Sequence, residues 1–392
     1  MNRLIFLKVA FAFTLIVSLN SCKDDPIPEE YLRSGNSVAL TSDGNLIIAG
    51  YNTGAGGYDA NLILANSLTG DTIWSKSFAT SYVDAFYNAK KANKGGYIAT
   101  GFSNRALGAS PGTIVVITDN AGKLVQSAVY GGSNSSQGFY VLPHSNSDSG
   151  YLVTGWIQKT TRADRDIYLL KLNNDGSVKW EKTYGPAGKY SSDTTFDAAY
   201  SMAAAPGGGY YLTGSLKGYS TGGGRIFLMK VSSKGDSLWT KTYGYGIGFS
   251  VTTTQDGNVA IGGTSQATSN SEITILKTDT AGNIIWNKIY SQPGLEYGST
   301  LIQTIDGGYA ITGITNSKGS GNDDVYLIKT NQTGDLQWDN YFGGSNVDQG
   351  FGLVQNSNQE FFITGMSNSD GSYIFLNKTD NAGKQIWVKY IK

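Results

Sequence analysis

Short apolar or alternating runs, bounded by Gly, Asn and Asp, recur along most of the chain. The run "YAITG" at 309–313 follows a glycine turn, and similar runs lie upstream and downstream of it. Each run ends at a glycine, and successive glycines lie between 49 and 59 residues apart: Gly50, Gly101, Gly155, Gly214, Gly263, Gly313 and Gly365. Runs of this pattern predict β-strands rather than helices. The chain is therefore expected to contain seven repeated units of strands over residues 33–392.

Each unit shows four such runs. In the sixth unit, a variable loop follows the strand at 309–313 and leads to the apolar run "DVYLIKT" at 324–330. A tight turn then leads to "DLQWDNYF" at 335–342, and a leading run, "FGLVQ" at 351–355, belongs to the next unit. Four strands in each of seven units predict an all-β fold, a seven-bladed β-propeller with four antiparallel strands per blade. The first unit begins with its leading strand and the last ends with its fourth strand, so we expect the ring to close without strand exchange.

The turn before the fourth strand has the same chemistry in every unit. It begins with Asp, Asn or Ser and has glycine in fourth place, as in "DTAG" at 279–282. The first side chain caps the turn, and the glycine supplies a positive φ. Acids also open calcium loops, but no acidic partner set accompanies these, so we predict no metal site.

A tryptophan stands four residues after the turn glycine in six units, and Gln126 replaces it in the remaining one. The six are Trp74, Trp180, Trp239, Trp286, Trp338 and Trp387. Another aromatic residue usually follows four positions later, so both rings lie on one face of the strand. This repetition predicts structural contacts that lock neighbouring blades together.

Composition limits the chemistry. The 52 glycines, 25 tyrosines and a charged fraction of only 15% are typical of an extracellular all-β protein. Basic and acidic residues balance at 30 each, so nucleic acid is not an expected partner. Cys22 is the only cysteine and His144 the only histidine. An intrachain disulfide is therefore impossible, and a nucleophilic triad or a zinc centre would lack its usual groups. We predict no cofactor and no catalytic residue.

The first 21 residues are interpreted as an export signal. Arg3 and Lys8 precede or flank a short apolar run, and "LNSC" ends at Cys22. This resembles the bacterial lipoprotein signal, in which the cysteine is lipidated and becomes the mature N-terminus. Residues 22–32 would then be a lipid-anchored polar tether and 33–392 the propeller. The "KDD" after the cysteine resembles the signal that takes Bacteroidota lipoproteins to the cell surface. We expect an outer-membrane protein, exposed at the surface and attached through its lipid only.

The repeat itself resembles a known family. Units of the form "DGGYAITG" and "DDVYLIKTNQTGDLQWDNYFGGS" look like the β-propeller repeats of secreted and surface proteins of Bacteroidota and some archaea. They are more distantly similar to quinoprotein-like (PQQ-type) repeats, a resemblance that implies a cofactor held by calcium, a carboxylate and commonly a vicinal disulfide. The lone Cys22 cannot supply that disulfide. An eight-bladed lipoprotein scaffold for outer-membrane assembly is a closer analogue in anchoring, although seven units are counted here.

Four acidic residues share one repeat position, two places before the small residue of the leading strand. They are Asp84, Asp197, Glu296 and Asp348. If the leading strand is innermost, these acids would form a partial ring at the mouth of the channel and bind a cation, an amine or sugar hydroxyls. Alternatively, each acid caps its own loop through hydrogen bonds to nearby backbone amides.

Loop length varies mainly on one predicted face, which marks that face as the expected binding surface. Aromatic candidates there are Tyr190, Tyr245, Tyr297 and Trp156. Such rings suit a glycan or a partner protein. The first hypothesis is a monomeric, non-catalytic binding or scaffolding module for a protein partner. The alternatives are a glycan-binding accessory protein and a carboxylate-dependent glycoside hydrolase.

Overall fold

The structure is a computed structural model. It describes residues 33–54, 57–78, 83–104, 110–144, 149–159, 164–185, 196–216, 224–266, 270–369 and 371–392. The regular elements in these ranges are 27 β-strands, as the repeat predicts, and no helix occurs among them. The described residues accordingly include no helix with the length and apolar character needed to cross a membrane. Cys22 and the rest of 1–32 lie outside the described residues.

Five sheets each consist of four antiparallel strands that are consecutive in the chain. The first sheet contains β1 (Ser34–Leu40), β2 (Leu46–Gly54), β3 (Gly57–Ala65) and β4 (Thr72–Ser77). The second contains β5 (Asp84–Lys91), β6 (Tyr97–Ser103), β7 (Gly112–Thr118) and β8 (Leu124–Tyr130). The third contains β9 (Ser135–His144), β10 (Gly150–Gln158), β11 (Arg165–Leu172) and β12 (Val178–Tyr184).

The sixth sheet has seven strands and lies in the middle of the chain. Its strands are β13 (Ala198–Ala204), β14 (Tyr210–Leu216), β15 (Arg225–Val231), β16 (Ser237–Thr253), β17 (Val259–Ser265), β18 (Glu272–Thr278) and β19 (Ile284–Tyr290). The last two four-stranded sheets are β20 (Glu296–Gln303), β21 (Tyr309–Thr315), β22 (Asp324–Thr330) and β23 (Leu336–Phe342), and β24 (Asp348–Gln355), β25 (Phe361–Ser367), β26 (Tyr373–Thr379) and β27 (Gln385–Ile391).

The seven-stranded sheet results from one unusually long strand. β16 spans 17 residues, pairs with β15 up to Tyr245, and pairs with β17 from Gly246 onward. Other units have a loop at this point, whereas here the sequence "YGYG" at 243–246 leaves no residues for one. The chain therefore continues as a strand from the outer edge of one repeat to the inner edge of the next.

The sheets pack in chain order, and the last packs on the first. β1 contacts β24 and β25, and Val38 and Ile48 share a core cluster with Phe362. Trp387 Nε1 donates a hydrogen bond to the Leu68 carbonyl oxygen at 2.9 Å. The sheets at this junction each contain four strands consecutive in the chain, so the ring closes by packing and not by strand exchange.

Each repeat has a β-bulge in its first strand, at the same place. In β24, for example, the pairing with β25 skips Phe351. The glycine that ends the repeat run lies beside this bulge, and a Cβ on Gly365 would lie 1.7 Å from the Gln349 carbonyl oxygen. The same distance at the other six repeat glycines is 1.8 to 2.0 Å. The glycine that closes "YAITG" is therefore required by a close backbone approach, because any side chain would displace the first strand.

Each turn glycine before a fourth strand packs against the preceding repeat. The seven glycines have φ between 75° and 82°, the left-handed conformation that glycine adopts at no steric cost. A Cβ on Gly383 would lie 2.5 Å from the Trp338 ring, and one on Gly122 would lie 3.0 Å from the Trp74 ring. The remaining tryptophans of the series make the same contact at intermediate distances: Trp180, Trp239, Trp286 and Trp387.

The repeat without a tryptophan makes this contact differently. Gln126 lies against Gly176, where a Cβ would meet its Cγ at 3.1 Å. The Tyr130 hydroxyl donates to the Gly176 carbonyl oxygen at 2.5 Å. Tyr290 donates in the same way to Gly334 at 2.7 Å. The second aromatic residue of the motif thus adds a polar bond to the packing of the first.

We expect Gly313→Ala to destabilise the protein by about 3 kcal/mol, because its Cβ would lie 1.9 Å from the Tyr297 carbonyl oxygen. The matched control is Gly244→Ala, where a Cβ would meet no atom within 4 Å. Urea unfolding measures both changes. Equal, small effects from the two variants would contradict the close-approach explanation.

Trp387→Ala should lower the melting temperature by roughly 5 °C, because it removes the ring that contacts Gly70 across the closure. Trp338→Ala removes the same contact at a junction within the chain and should have a similar effect. Ile386→Ala, whose side chain is 49% exposed, is the neutral control. A Trp387 variant that melts like the Ile386 control would show that the ring is not closed by this contact.

Candidate functional site

A cavity of about 510 Å³ lies at the centre of the ring. Residues of β1, β5, β9, β13, the second part of β16, β20 and β24 line it. The first strand of every repeat is therefore innermost, which meets the condition under which the acids of the leading strands were considered. The cavity runs from the level of the bulges to the exposed Gln255, in the short turn after β16.

The bulge residues form the inner end of the cavity. They are Asn36, Tyr87, Phe139, Tyr200, Phe249, Ser299 and Phe351. Four of the five aromatic rings make a continuous arc, with centroid distances of 5.0 Å for Tyr87–Phe139, 4.8 Å for Phe139–Tyr200 and 5.2 Å for Tyr200–Phe249. A bulge inserts one unpaired residue and redirects it, which explains why these side chains point inward.

More aromatic residues lie behind this arc. Tyr51, Phe102 and Trp156 are buried in one cluster with Tyr87 and Phe139. On the other side of the channel, Phe351 packs with Ile314 and Met366. Buried apolar side chains thus pack directly behind several of the bulge residues at the inner end of the cavity.

The wall above the bulges is polar. Its side chains bond to the backbone of the next first strand: Ser37 Oγ accepts from Ala89 N at 3.2 Å, and Thr300 Oγ1 donates to the Phe351 carbonyl oxygen at 2.6 Å. At the closure this position is Gly352, where a Cβ would lie 2.8 Å from Val38 N. Hydroxyl and amide groups therefore hold the first strands in a ring around the cavity.

One charged residue lies among the described residues that line the cavity. Lys90 is half-buried, and its Nζ lies 5.2 Å from the centre of the Tyr140 ring. Of the described lining residues, Lys90 is the only charged one, and none is acidic. Within the described part of the chain, no acidic side chain forms an ion pair with Lys90.

Two acids in the turns that follow the first strands are already neutralised. Each first strand leads into a short turn, and Asp306 in one of these turns accepts from the buried Lys329 at 2.7 Å. Burial alone would raise the pKa of Asp306, but the hydrogen bonds from Lys329 and Thr304 lower it below the usual value. Asp256 pairs with Lys277 at 2.6 Å in the same way. Asp256 and Asp306 thus already have counter-charges, and Asp43, in the turn after β1, is hydrogen-bonded to Thr41 and Asn45.

The four predicted acids lie at the other ends of the first strands. All four are fully buried, and none lines the cavity. Asp348 Oδ2 accepts from Gly344 N at 2.8 Å and from Ser369 Oγ at 2.6 Å. Glu296 Oε1 accepts from Thr315 Oγ1 at 3.2 Å. The contact with Gly344 is of the kind that the loop-capping interpretation requires, and ligand binding by these acids stays a prediction.

These acids sit at the junctions between sheets. Asp348 N donates to the Asp323 carbonyl oxygen of the preceding repeat at 2.8 Å, and Asp197 N donates to that of Arg165 at 3.0 Å. A Cβ on Gly343 would lie 2.3 Å from Asp324 Oδ1 and 2.8 Å from Asp348 Oδ2, so two carboxylates meet there. The described residues contain no group of three or more His, Cys, Asp or Glu side chains arranged to hold a metal ion.

Burial and neighbouring charge oppose ionisation at two of these junctions. Burial, together with the charges of Asp348 and Asp323, raises the pKa of Asp324 above its usual value. Burial and the charge of Asp84 raise the pKa of Asp59 in the same way. The carboxylates at these junctions therefore carry an electrostatic cost at neutral pH.

The aromatic candidates are dispersed. Trp156 is buried, and the Arg165 guanidinium carbon lies 4.1 Å from its ring centre. Tyr245 is 46% exposed, and Arg225 stacks on it at 4.6 Å. Burial raises the pKa of the half-buried Tyr297. Tyr190 lies outside the described residues, and the three described candidates belong to different strands, β10, β16 and β20.

The sequence analysis missed the cavity residues, although a signal was present. Aligning the repeats places an aromatic residue directly after the position of the small residue in five of seven leading strands. The five are Tyr87, Phe139, Tyr200, Phe249 and Phe351. These side chains point inward because of the bulge, and no residue type in the sequence predicts the bulge.

Comparison with known proteins supports the fold. No protein-family model matches the chain, and no curated protein matches it. The structure of Chaetomium thermophilum Sqt1 bound to the N-terminus of ribosomal protein L10 is similar, with a TM-score of 0.50, 12% identity, and coverage of 92% of this chain and 88% of that one. The Dos1 propeller has a TM-score of 0.48, 9% identity, and coverage of 89% and 84%. The sheet arrangement and the likeness to Sqt1 make this protein a β-propeller.

Asp324→Asn should stabilise the protein at pH 7 and not at pH 3.5. The pKa of Asp324 is raised in the folded state, so the ionised group lowers stability as pH rises above its unfolded value of about 3.9. Asparagine removes the charge, and its amide oxygen is able to accept the bond from Gly321 N. Thermal melts at the two pH values measure the effect.

The control for this prediction is Asp335, a carboxyl group whose pKa is shifted in the opposite direction. Hydrogen bonds from Thr333 and Lys288 lower the pKa of Asp335 to about 2. Its stabilising contribution is present above the unfolded pKa and is lost as pH falls toward the folded one, so Asp335→Asn should give no gain at pH 7. An Asp324 variant that is equally stabilised at both pH values would refute the electrostatic explanation.

Proposed function

We propose that the ring has seven blades. The two parts of β16 pair with different neighbours, so the seven-stranded sheet counts as two blades that share one continuous strand. Seven first-strand segments line the cavity, one for each sequence repeat. This count supports the seven-bladed reading of the repeat and departs from the eight blades of the outer-membrane assembly scaffold.

We propose that the protein is a non-catalytic binding module for a protein partner. The observation that carries this proposal is the central cavity, lined at its inner end by aromatic rings and along its wall by hydroxyl and amide groups. Its volume of about 510 Å³ lies within the range of roughly 300 to 1,000 Å³ that binding pockets occupy. The Sqt1 propeller, whose structure contains a bound protein terminus, is a fold-level analogy for such use.

The alternatives fit the cavity less well. A glycan platform needs an open aromatic face, whereas Tyr87, Phe139 and Phe351 are at most 5% exposed and pack against neighbouring side chains. A glycoside hydrolase needs two carboxyl groups at the reacting bond, and none of the described residues lining this cavity is acidic. A glycan site on the variable loops remains the second candidate.

For the cellular context, we propose a surface lipoprotein of the outer membrane, anchored through a lipid on Cys22. The sequence signal "LNSC" and the polar tether 22–32 support this placement. The tether would join the membrane to β1, which is an innermost strand of the ring.

Photocrosslinking in intact cells tests the binding role. A benzophenone amino acid at Gln255, which is exposed and lines the cavity, should crosslink to one defined protein. The same group at Ile289, 40% exposed on the outer edge strand β19, should not. Crosslinks at neither position, together with glycan-array binding by the purified protein, would replace the protein-partner proposal with the glycan-binding one.

The same cells test the anchor. Cys22→Ala should move the protein out of the membrane fraction and remove the lipid mass from its N-terminus. An unchanged fractionation would contradict lipid anchoring without affecting the crosslinking result.

A further inference from the structure

We propose that the cavity binds the C-terminal end of a partner polypeptide, with the terminal carboxylate at Lys90 and an apolar last side chain against the aromatic arc. The inference deepens the proposed function, because it rests on the same cavity and names the part of the partner that enters it.

The charge of the cavity lining favours a carboxylate as the group that binds there. Lys90 is half-buried in the cavity wall, and no described acidic residue lines that wall. A partly desolvated ammonium group gains most from an anion that forms a charge-assisted hydrogen bond. An N-terminal ammonium group would meet a like charge and no acid. In two of the turns that follow first strands, Asp256 and Asp306 already pair with Lys277 and Lys329.

The size and lining of the cavity favour the end of a polypeptide chain over an internal loop. Aromatic rings from five repeats line the inner end of the cavity, and those of Tyr87, Phe139 and Phe351 are buried against neighbouring side chains, so a segment entering from the turns meets these rings. A volume of about 510 Å³ accommodates a few residues at most. A chain end occupies a cavity of this size with one backbone, whereas an internal loop must fit two.

The surfaces inside select the chemistry of that end. The half-buried rings of Tyr200 and Phe249 lie at the inner end of the cavity and favour burial of an apolar or aromatic side chain. The wall offers hydroxyl groups, such as that of Thr252. The expected ligand is therefore a peptide that ends in Phe, Leu or Ile with a free carboxylate.

The test uses the purified full-length protein and a library of N-acetylated tetrapeptides with Phe, Leu or Ile in the last place. One half of the library has free carboxylates, and the other half has C-terminal amides. Affinity selection followed by calorimetry on the enriched peptides should show amides bound about tenfold or more weakly than acids. Equal binding of acids and amides would overturn the proposal, and so would no enrichment.

Variants locate the carboxylate. Lys90→Met keeps the aliphatic stem and should weaken binding about tenfold or more, while Lys90→Arg should restore most of the affinity. Lys91→Met is the matched control, because it removes the same charge from a neighbouring exposed lysine that does not line the cavity. Equal losses from the two methionine variants would refute a specific contact at Lys90. Melting temperatures near that of the unmodified protein confirm that each variant is folded.

The peptide test and the crosslinking test separate the two proposals. Crosslinking at Gln255 combined with indifference to the peptide terminus would leave the binding role intact and reject the C-terminal ligand. Absence of a crosslinked protein would reject the binding role itself.

Discussion

The contact between a ring and a turn glycine of the next repeat is the interaction on which the rest of the structure depends. Each four-stranded unit exposes a row of large side chains that it cannot bury alone. A tryptophan lies over a glycine that has no side chain, and at Tyr130 and Tyr290 a hydroxyl bonds to the carbonyl oxygen of that glycine. Because Trp387 makes the same contact across the closure, every sheet is held from both sides.

Much of this architecture was predictable from the sequence. The repeat spacing, the turn chemistry and the tryptophan series indicate four-stranded antiparallel units, and the structure shows these. The long β16 was not predicted, because a strand that continues through "YGYG" differs from a short loop only in its hydrogen bonding. The need for glycine at Gly352 was missed for a different reason. It arises because Val38 N, in the first repeat, approaches Gly352 across the closure, and the sequence of one repeat does not predict a contact with another.

The candidate site was less predictable, and strand geometry explains why. Side chains alternate along a strand, so an acid two places before the small residue points to the same side as that residue, which is toward the neighbouring sheet. Asp348 accordingly meets Asp324 at a sheet junction. After the bulge the alternation shifts, and the next aromatic residue turns toward the channel. The two ends of the first strands therefore differ, with buried carboxylates at one end and an unpaired cation at the other.

The junction between β1 and β24 bears on the order in which the chain has to connect the sheets. The first and last described sheets each contain four strands that are consecutive in the chain, so the covalent order of the sheets is not what holds the circle together. A circularly permuted chain, joined across this junction and opened at a loop between two other blades, retains every strand pairing. Among the described connections between repeats, β16 is unsuitable for such an opening, because there the chain crosses between repeats as a hydrogen-bonded strand.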